Sequence, residues 1–467
     1  MENPPRSRND RIRVVGLFLF FLLVIAAFWI QKPIRTSRFL AAIGPEAIPW
    51  VKLGTALLIL PVVMLYSSLA ARYRRQYIVY VCTAVFAVCS LIFWWVFSGS
   101  PPAWMHYAYF FYVDIFNSVM VALFWSVAND ISSPEDARRD YGVVGAGGII
   151  GGAIGSGVTG WSVEHLGAAN LLLVCVGLLI AIAAVAWGLS RSVAPPAAAS
   201  SARRPEASLG DAVAGARLTW QSRYLTYIAL LVVAYEIVSN VIDYQFNTFV
   251  ARQYSGEAAM AAFLGRFSTA SIGASAIAQL VLTTWILRRW GPSVGLLVLP
   301  LALAAGSGSL LVVPTFAVIA ATFFSDATLS YSLNQASKEV LYTPTEETTK
   351  YQAKAFIDMF LMRLAKGVSS LLILVWMAWL APKGVQQFAL LSLAVVVPWF
   401  IVARAAGRSF AEQTDDSQAT QRAQPADRGT QGAPPHSGVQ AEAVSTTSRD
   451  QWQSPDLAHG TRRSWTR

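Results

Sequence analysis

Uncharged apolar stretches of about 17–25 residues, the length that crosses a bilayer core as a helix, recur along most of the chain. The pattern predicts twelve spans, at 14–32, 48–69, 77–97, 107–128, 141–163, 170–190, 224–248, 263–287, 293–313, 315–334, 355–380 and 388–404. Inside lipid a helix satisfies its own backbone hydrogen bonds, whereas an open strand does not. The expected molecule is therefore an all-α polytopic membrane protein. Composition agrees. The 467 residues are 55% hydrophobic and 13% charged, with a formal charge of +10, against about 25% charged for a soluble chain. The first span contains Phe and Trp and lacks a small-residue cleavage site, so it reads as a retained helix.

The connections between spans differ sharply in basic content. One set holds Arg6, Arg8, Arg11, Arg13, Arg72, Arg74, Arg75, Arg138, Arg139, Arg191, Arg203, Arg204, Arg288, Arg289, Lys338, Lys350, Lys354, Arg404 and Arg408. The other holds Arg252 and Lys383, with Lys32, Arg35 and Arg38 in its first loop. The positive-inside rule places the first set, and with it both termini, in the cytoplasm. Residues 191–223, rich in Ala, Pro and Ser, form an expected central cytoplasmic loop between halves at 14–190 and 224–404, preceded by a cytoplasmic segment 1–13. Segment 409–467 is polar and without apolar period, as expected of a disordered cytoplasmic tail. Trp125-Ser126-Val127 and Tyr331-Ser332-Leu333 close the fourth and tenth spans, a weak echo between halves. Two six-helix halves around a central loop resemble the major facilitator architecture, whose site lies near midplane between them.

Several ionised groups lie within these spans. They are Asp114, Glu236, Asp243, Asp326, Asp358, Arg363 and Lys366, with Lys32 and Arg35 at the outer end of the first span. Each costs about 2.5–3.5 kcal/mol at the bilayer centre, so a structural pair or a functional pathway must hold it there. Glu236, Asn240 and Asp243 form one stripe of the seventh span, spaced i, i+4, i+7. Lys32 with Arg35, and Arg363 with Lys366, are three apart and so are helix neighbours. At 1.5 Å per residue Lys366 lies about 16 Å from the cytoplasmic end of its span, close to midplane. Lys32, Arg35, Arg363 and Lys366 are the candidate binding groups for an anion. Asp114, Glu236, Asn240, Asp243, Asp326 and Asp358 are the candidate gating or coupling groups.

The fifth span contains Gly147, Gly151 and Gly155 at small-xxx-small spacing, which points to close helix packing. No Gly-Lys-Ser/Thr closes that run as a phosphate loop would require. Trp94, Trp95, Trp104, Trp290 and Trp399 read as interfacial belt residues. Cys82, Cys89 and Cys175 lie in apolar runs and the four histidines are scattered, so no cofactor, disulfide or metal is expected. No nucleophile–base pattern suggests an enzyme.

The string from Phe111 through Asp114 to Phe124-Trp125, then Ala128-Asn129 and Glu135-Asp136-Ala137-Arg138, resembles the nucleotide transporter (ATP/ADP translocase) family of plastids and intracellular bacteria. Lys354-Ala355-Phe356-Ile357-Asp358 with Ala365-Lys366-Gly367 is similar to that family's pattern in its eleventh helix. Lys32-Pro33-Ile34-Arg35, Ile48-Pro49-Trp50-Val51-Lys52 and Tyr235 to Asp243 are weaker matches. The resemblance implies substrate-binding cations at Arg35 and Lys366, and acids at Asp114 and Asp243 where the family typically has glutamate. Asn247 stands where a lysine is common, and Ala365 where a glycine precedes Lys366. The implied protein is a monomeric exchanger of a nucleotide or similar phosphorylated anion in a bacterial inner membrane, with lipid but no nucleic acid as partner. A proton-coupled facilitator of another solute, acting through Asp114, Asp243 or Asp326, is the alternative; a non-transporting membrane protein is a third.

Overall fold

A computed structural model describes residues 8–73, 75–192, 209–345, 347–380 and 384–423. Helices α1 (Arg8–Ala42), α2 (Ile48–Arg72), α3 (Arg75–Phe97), α4 (Ala103–Ile131), α5 (Pro134–Leu166) and α6 (Leu171–Ser192) form the first half. The second half comprises α7 (Leu209–Gln221), α8 (Arg223–Gln253), α9 (Glu257–Ala278), α10 (Thr284–Val312), α11 (Phe316–Leu329), α12 (Gln335–Leu341), α13 (Glu347–Ala355), α14 (Met362–Leu380) and α15 (Phe388–Ala423). Short π-helical turns at Gln279–Thr283, Ser330–Asn334 and Phe356–Leu361 join α9 to α10, α11 to α12 and α13 to α14. Such turns break the regular ladder and often mark functional segments.

Among the described residues, eleven helical runs are long and apolar enough to cross a membrane. One of them, Glu257–Val312, has 56 residues and would reach about 84 Å as a straight helix, nearly three times the bilayer core. It is broken at Gly291, whose φ of 75° suits glycine alone. Two predicted spans, 263–287 and 293–313, fall on either side of that break.

Three boundaries differ from expectation. Residues 209–221, assigned to the central loop, form helix α7, packed on α8 and α13. The last helix continues to Ala423, so the first part of the expected tail is helical. Arg8 to Arg13 already belong to α1. The remaining parts of those segments, 1–7, 193–208 and 424–467, lie outside the described residues. Local chemistry sets the start of α5. Ser133 caps it by accepting from the Asp136 amide, Asp136 returns a bond to the Ser133 backbone, and Pro134 occupies the first turn.

Large apolar side chains such as Leu57, Trp95, Ile180, Leu280 and Trp379 are exposed, the polarity expected of a lipid-facing surface. Trp399 is an exception to the predicted belt: it is 2% exposed and packs edge-on against Tyr235 at 6.1 Å. Its indole fills the core of the second half.

The glycines of α5 do what their spacing predicts. A Cβ on Gly147, Gly151 or Gly155 would come within 2.7, 2.3 and 2.3 Å of the carbonyl oxygens of Phe18, Leu22 and Ala26 on α1. Further along, a Cβ on Gly160 would meet the Arg266 amide at 2.7 Å, and one on Gly265 the Gly160 amide at 2.5 Å. The same helix therefore packs backbone to backbone on α1 and, across the two halves, on α9. Gly151→Val is expected to lower stability by about 1–3 kcal/mol through overpacking, read as an earlier thermal transition in detergent. An unchanged transition would contradict this packing.

Candidate functional site

Helix α1 runs from the Arg13 end of the bundle to its Arg38 end. Pro33 lies inside α1 next to Lys32, so the Trp29 carbonyl four residues earlier lacks its helical N–H partner. Arg35 pairs with Asp114 of α4 and stacks over the Phe110 ring at 4.0 Å. Thr55 of α2 donates to the other Asp114 oxygen at 3.2 Å. The arginine, its side chain 10% exposed, is thus fixed by an aromatic face and an acid.

Lys52, in the first turns of α2, is the residue the sequence reading left without a role. Its ammonium pairs with Asp243 and donates to Asn240 Oδ1 at 2.6 Å, both on α8. It thus joins the halves at the stripe that the spacing of Glu236, Asn240 and Asp243 predicts. Asn240 Nδ2 in turn donates to Ser370 Oγ of α14 at 3.3 Å. One turn before Ser370, Lys366 Nζ lies 3.6 Å from Glu236 Oε2. Glu236 is buried, but the Lys366 side chain is 53% exposed.

Lys32, Arg35, Lys52, Asp243, Asn247 and Ser268 contribute to the wall of a cavity of about 70 Å³ between the halves, room for roughly two waters. Lys32 rests over the Trp29 ring at 4.2 Å and forms no ion pair among the described residues. This part of the site is narrow, while the Lys366 side chain is exposed.

The other candidates separate from this cluster. Asp358 sits on the π turn before α14 and takes a bond from Lys338 Nζ at 3.1 Å. Lys354 pairs with Glu339 nearby at 2.6 Å. These pairs link α12 to the α13–α14 segment. Arg363 has no ion pair among the described residues and does not line the cavity. Asp326, on α11, is 3% exposed and accepts a bond from Ser239 Oγ at 2.6 Å.

Ion pairs between the halves share one end. Arg38 reaches Glu257 of α9 at 2.8 Å, and Arg266 of α9 reaches Glu164 of α5 at 2.9 Å and the Gly160 carbonyl at 2.7 Å. With Lys52–Asp243 they draw the halves together towards the Arg38 end. At the Arg13 end, Arg13–Asp136 at 2.6 Å and Lys338–Asp358 each join helices of a single half. The conformer is shut at the Arg38 end. Glu257→Gln combined with Arg266→Gln is expected to loosen that closure. Spin labels on α5 and α9 should then report a longer-distance population, absent from the parent protein.

Eleven candidate spans among the described residues, arranged in two halves with a charged seam between them, match a membrane transporter of major facilitator fold. Solved structures agree on that fold. The nucleoside transporter NupG superposes with a TM-score of 0.60 at 11% identity, covering 87% of this chain and 99% of that one. A bacterial homolog of the human lysosomal transporter Spinster, inward-facing and unoccupied, gives 0.58 at 13% identity, covering 88% and 99%. The TLC ATP/ADP transporter family model matches residues 100–330 and 304–410. The chain belongs to the TLC ATP/ADP transporter family. Its relatives include ADP,ATP carrier protein 1 of Chlamydia muridarum, 24% identical over 79% of this chain and 82% of that protein. ADP,ATP carrier protein 2 of Chlamydia pneumoniae is 23% identical over 89% of this chain and 92% of that protein. The chloroplastic ADP,ATP carrier protein 1 of Arabidopsis thaliana is 26% identical over 62% of this chain and 49% of that protein. The chain is a membrane transporter and not an enzyme.

Proposed function

We propose that this protein exchanges a nucleotide, or a closely similar phosphorylated anion, by alternating access between its two halves. The observation that carries the reading is the convergence of Lys32, Arg35, Lys52 and Lys366 on one inter-half seam. Two of these, Arg35 and Lys52, are held by acids from opposite sides of it. Membership of a family whose relatives are named ADP,ATP carriers supports the same substrate class. A polyphosphate offers enough negative charge to compete with Asp114 and Asp243 for these cations. Substrate would then loosen Lys52 from Asp243, the link that holds α2 against α8, and so favour reorientation of the halves. Lys32, Arg35, Lys52 and Lys366 take the phosphates in this account; Asp114, Glu236, Asn240 and Asp243 hold the cations when the site is empty.

The basic loops at the Arg13 end support a cytoplasmic location for that end and for both termini. The conformer is then inward-facing, in a monomer resident in a bacterial inner membrane. A competition screen in proteoliposomes tests the substrate class. Unlabelled ATP and ADP should suppress uptake of radiolabelled ATP, while sugars and amino acids leave it unchanged. Absence of labelled uptake, or equal suppression by uncharged solutes, would remove the assignment.

A further inference from the structure

Away from the seam, α10 and α15 meet at the Arg13 end. Ser293 Oγ donates to the Gly407 carbonyl at 3.2 Å, and a Cβ on Gly407 would come within 2.7 Å of the Ser293 side chain. The two helices run in opposite directions. Phe316, just after α10, and Phe388, which opens α15, both lie at the Arg38 end, in ring contact with Tyr254 and Tyr244. On α15, Val397, Ile401, Arg404 and Arg408 are exposed and spaced i, i+4, i+7, i+11, one stripe of a helix. On α10, Val294 and Leu301 are exposed seven residues apart, again one stripe. At about 100° per residue, each stripe lies roughly a quarter-turn past its contact residue, Gly407 or Ser293. Because the helices are antiparallel, that shared rotation puts both stripes on the same side of the contact. They are the two walls of one outward-facing groove.

The groove is apolar along its length and cationic at its end. Arg404 and Arg408 lie about 24 and 30 Å along α15 from Phe388, close to the thickness of a bilayer core. Arg404 rests over the Phe400 ring at 5.5 Å. Neither arginine forms an ion pair among the described residues, and Glu412, one turn beyond Arg408, is exposed and does not engage it. Glu339 and Asp358 of the same half are taken by Lys354 and Lys338. Arg288 and Arg289, also exposed, stand just before the break at Gly291, again without an ion pair among the described residues. Trp285 and Trp290 flank them, exposed and edge-on at 4.6 Å, as amphipathic rings at headgroup level do. A free anion in water has no use for the apolar walls. An anion that carries acyl chains matches both parts of the groove.

We propose that this groove binds an anionic phospholipid from the leaflet at the Arg13 end. Arg404 and Arg408 take its phosphate through charge-assisted hydrogen bonds, and Arg288 and Arg289 add positive charge at the rim. The acyl chains lie on the two apolar stripes. Lipid held there bridges α10 and α15 on the outside of the second half. The site is independent of what the seam carries.

Native mass spectrometry of the full chain in neutral detergent tests the site with phosphatidylglycerol, phosphatidylcholine and glycerol 3-phosphate. Phosphatidylglycerol should be retained at a roughly ten- to thirty-fold lower concentration than phosphatidylcholine, the size that two arginines near a membrane surface confer. Glycerol 3-phosphate, the charge without the chains, should neither bind nor displace it. Arg404→Gln with Arg408→Gln should reduce the preference to about threefold or less, whereas the corresponding Lys pair should keep most of it. Arg191→Gln, which removes a cation lying over the Trp187 ring of α6 at 4.1 Å, should leave the preference unchanged. Each lipid-free variant should melt with the parent protein, because no ion pair among the described residues is broken. Equal retention of the two lipids, a preference that survives the Gln pair, or one lost equally in Arg191→Gln overturns the proposal. So does displacement by glycerol 3-phosphate, which would make these arginines a site for a free anion.

Discussion

Replacing Lys366 by Ala is expected to reduce uptake of radiolabelled ATP into liposomes by about 10–100-fold, and replacing Arg35 by Ala should do the same. The size follows from the loss of one charge-assisted hydrogen bond to phosphate, worth about 1.5–3 kcal/mol, at about 1.4 kcal/mol per tenfold. Lys366 is the more informative of the two. Its side chain is 53% exposed although its partner Glu236 is buried, so the ammonium is available to a ligand without first being pulled from a dry core. Truncation also strands Glu236, which lowers stability. Adding Glu236→Gln to Lys366→Ala should recover the thermal transition but not the uptake. Recovery of both would make the pair structural, and unchanged uptake in Lys366→Ala would remove the residue from the site.

The second large effect belongs to Lys52 and Asp243. A double-mutant cycle with Lys52→Ala and Asp243→Ala should show a coupling of about 0.5–3 kcal/mol in unfolding, as contacting groups do. In transport the cycle should behave differently. Lys52→Ala and the double variant should both lose ATP uptake, because the cation is missing in each. Additive stabilities would mean that the inter-half link contributes nothing. Restored uptake in the double variant would mean that Lys52 is only a neutraliser for Asp243.

Much of this architecture can be read from residue order alone, because lipid imposes strict rules on it. Span length and the glycine spacing of α5 each follow from one physical constraint, and the structure places them accordingly. The stripe Glu236–Asn240–Asp243 was visible because a helix puts those positions on one face, and Lys366 because a charge so deep in a span has few innocuous explanations. Lys52 was hidden. It stands alone in the first turns of its helix, where a lysine normally reaches the interface, and only the approach of α8 gives it Asp243 and Asn240. Its one local signal was a lysine just inside an apolar run on the side otherwise poor in basic residues. The surroundings of Asp358 and Trp399 were hidden for a related reason. Sequence depth does not say whether a charge has a neighbour such as Lys338, or whether an indole near a helix end turns inward. The partition of α13–α14 and α11–α12 by π turns left no residue signature.

Counter-exchange tests the central claim most directly, namely that the buried cations serve a polyanion which crosses between the halves. Liposomes carrying the purified protein, preloaded with ADP or left empty, are given radiolabelled ATP at equal pH on both sides. The account predicts rapid ATP entry into ADP-loaded vesicles, little into empty ones, and outward appearance of ADP in step with it. Equal and negligible entry in both, with the protein folded, would contradict it.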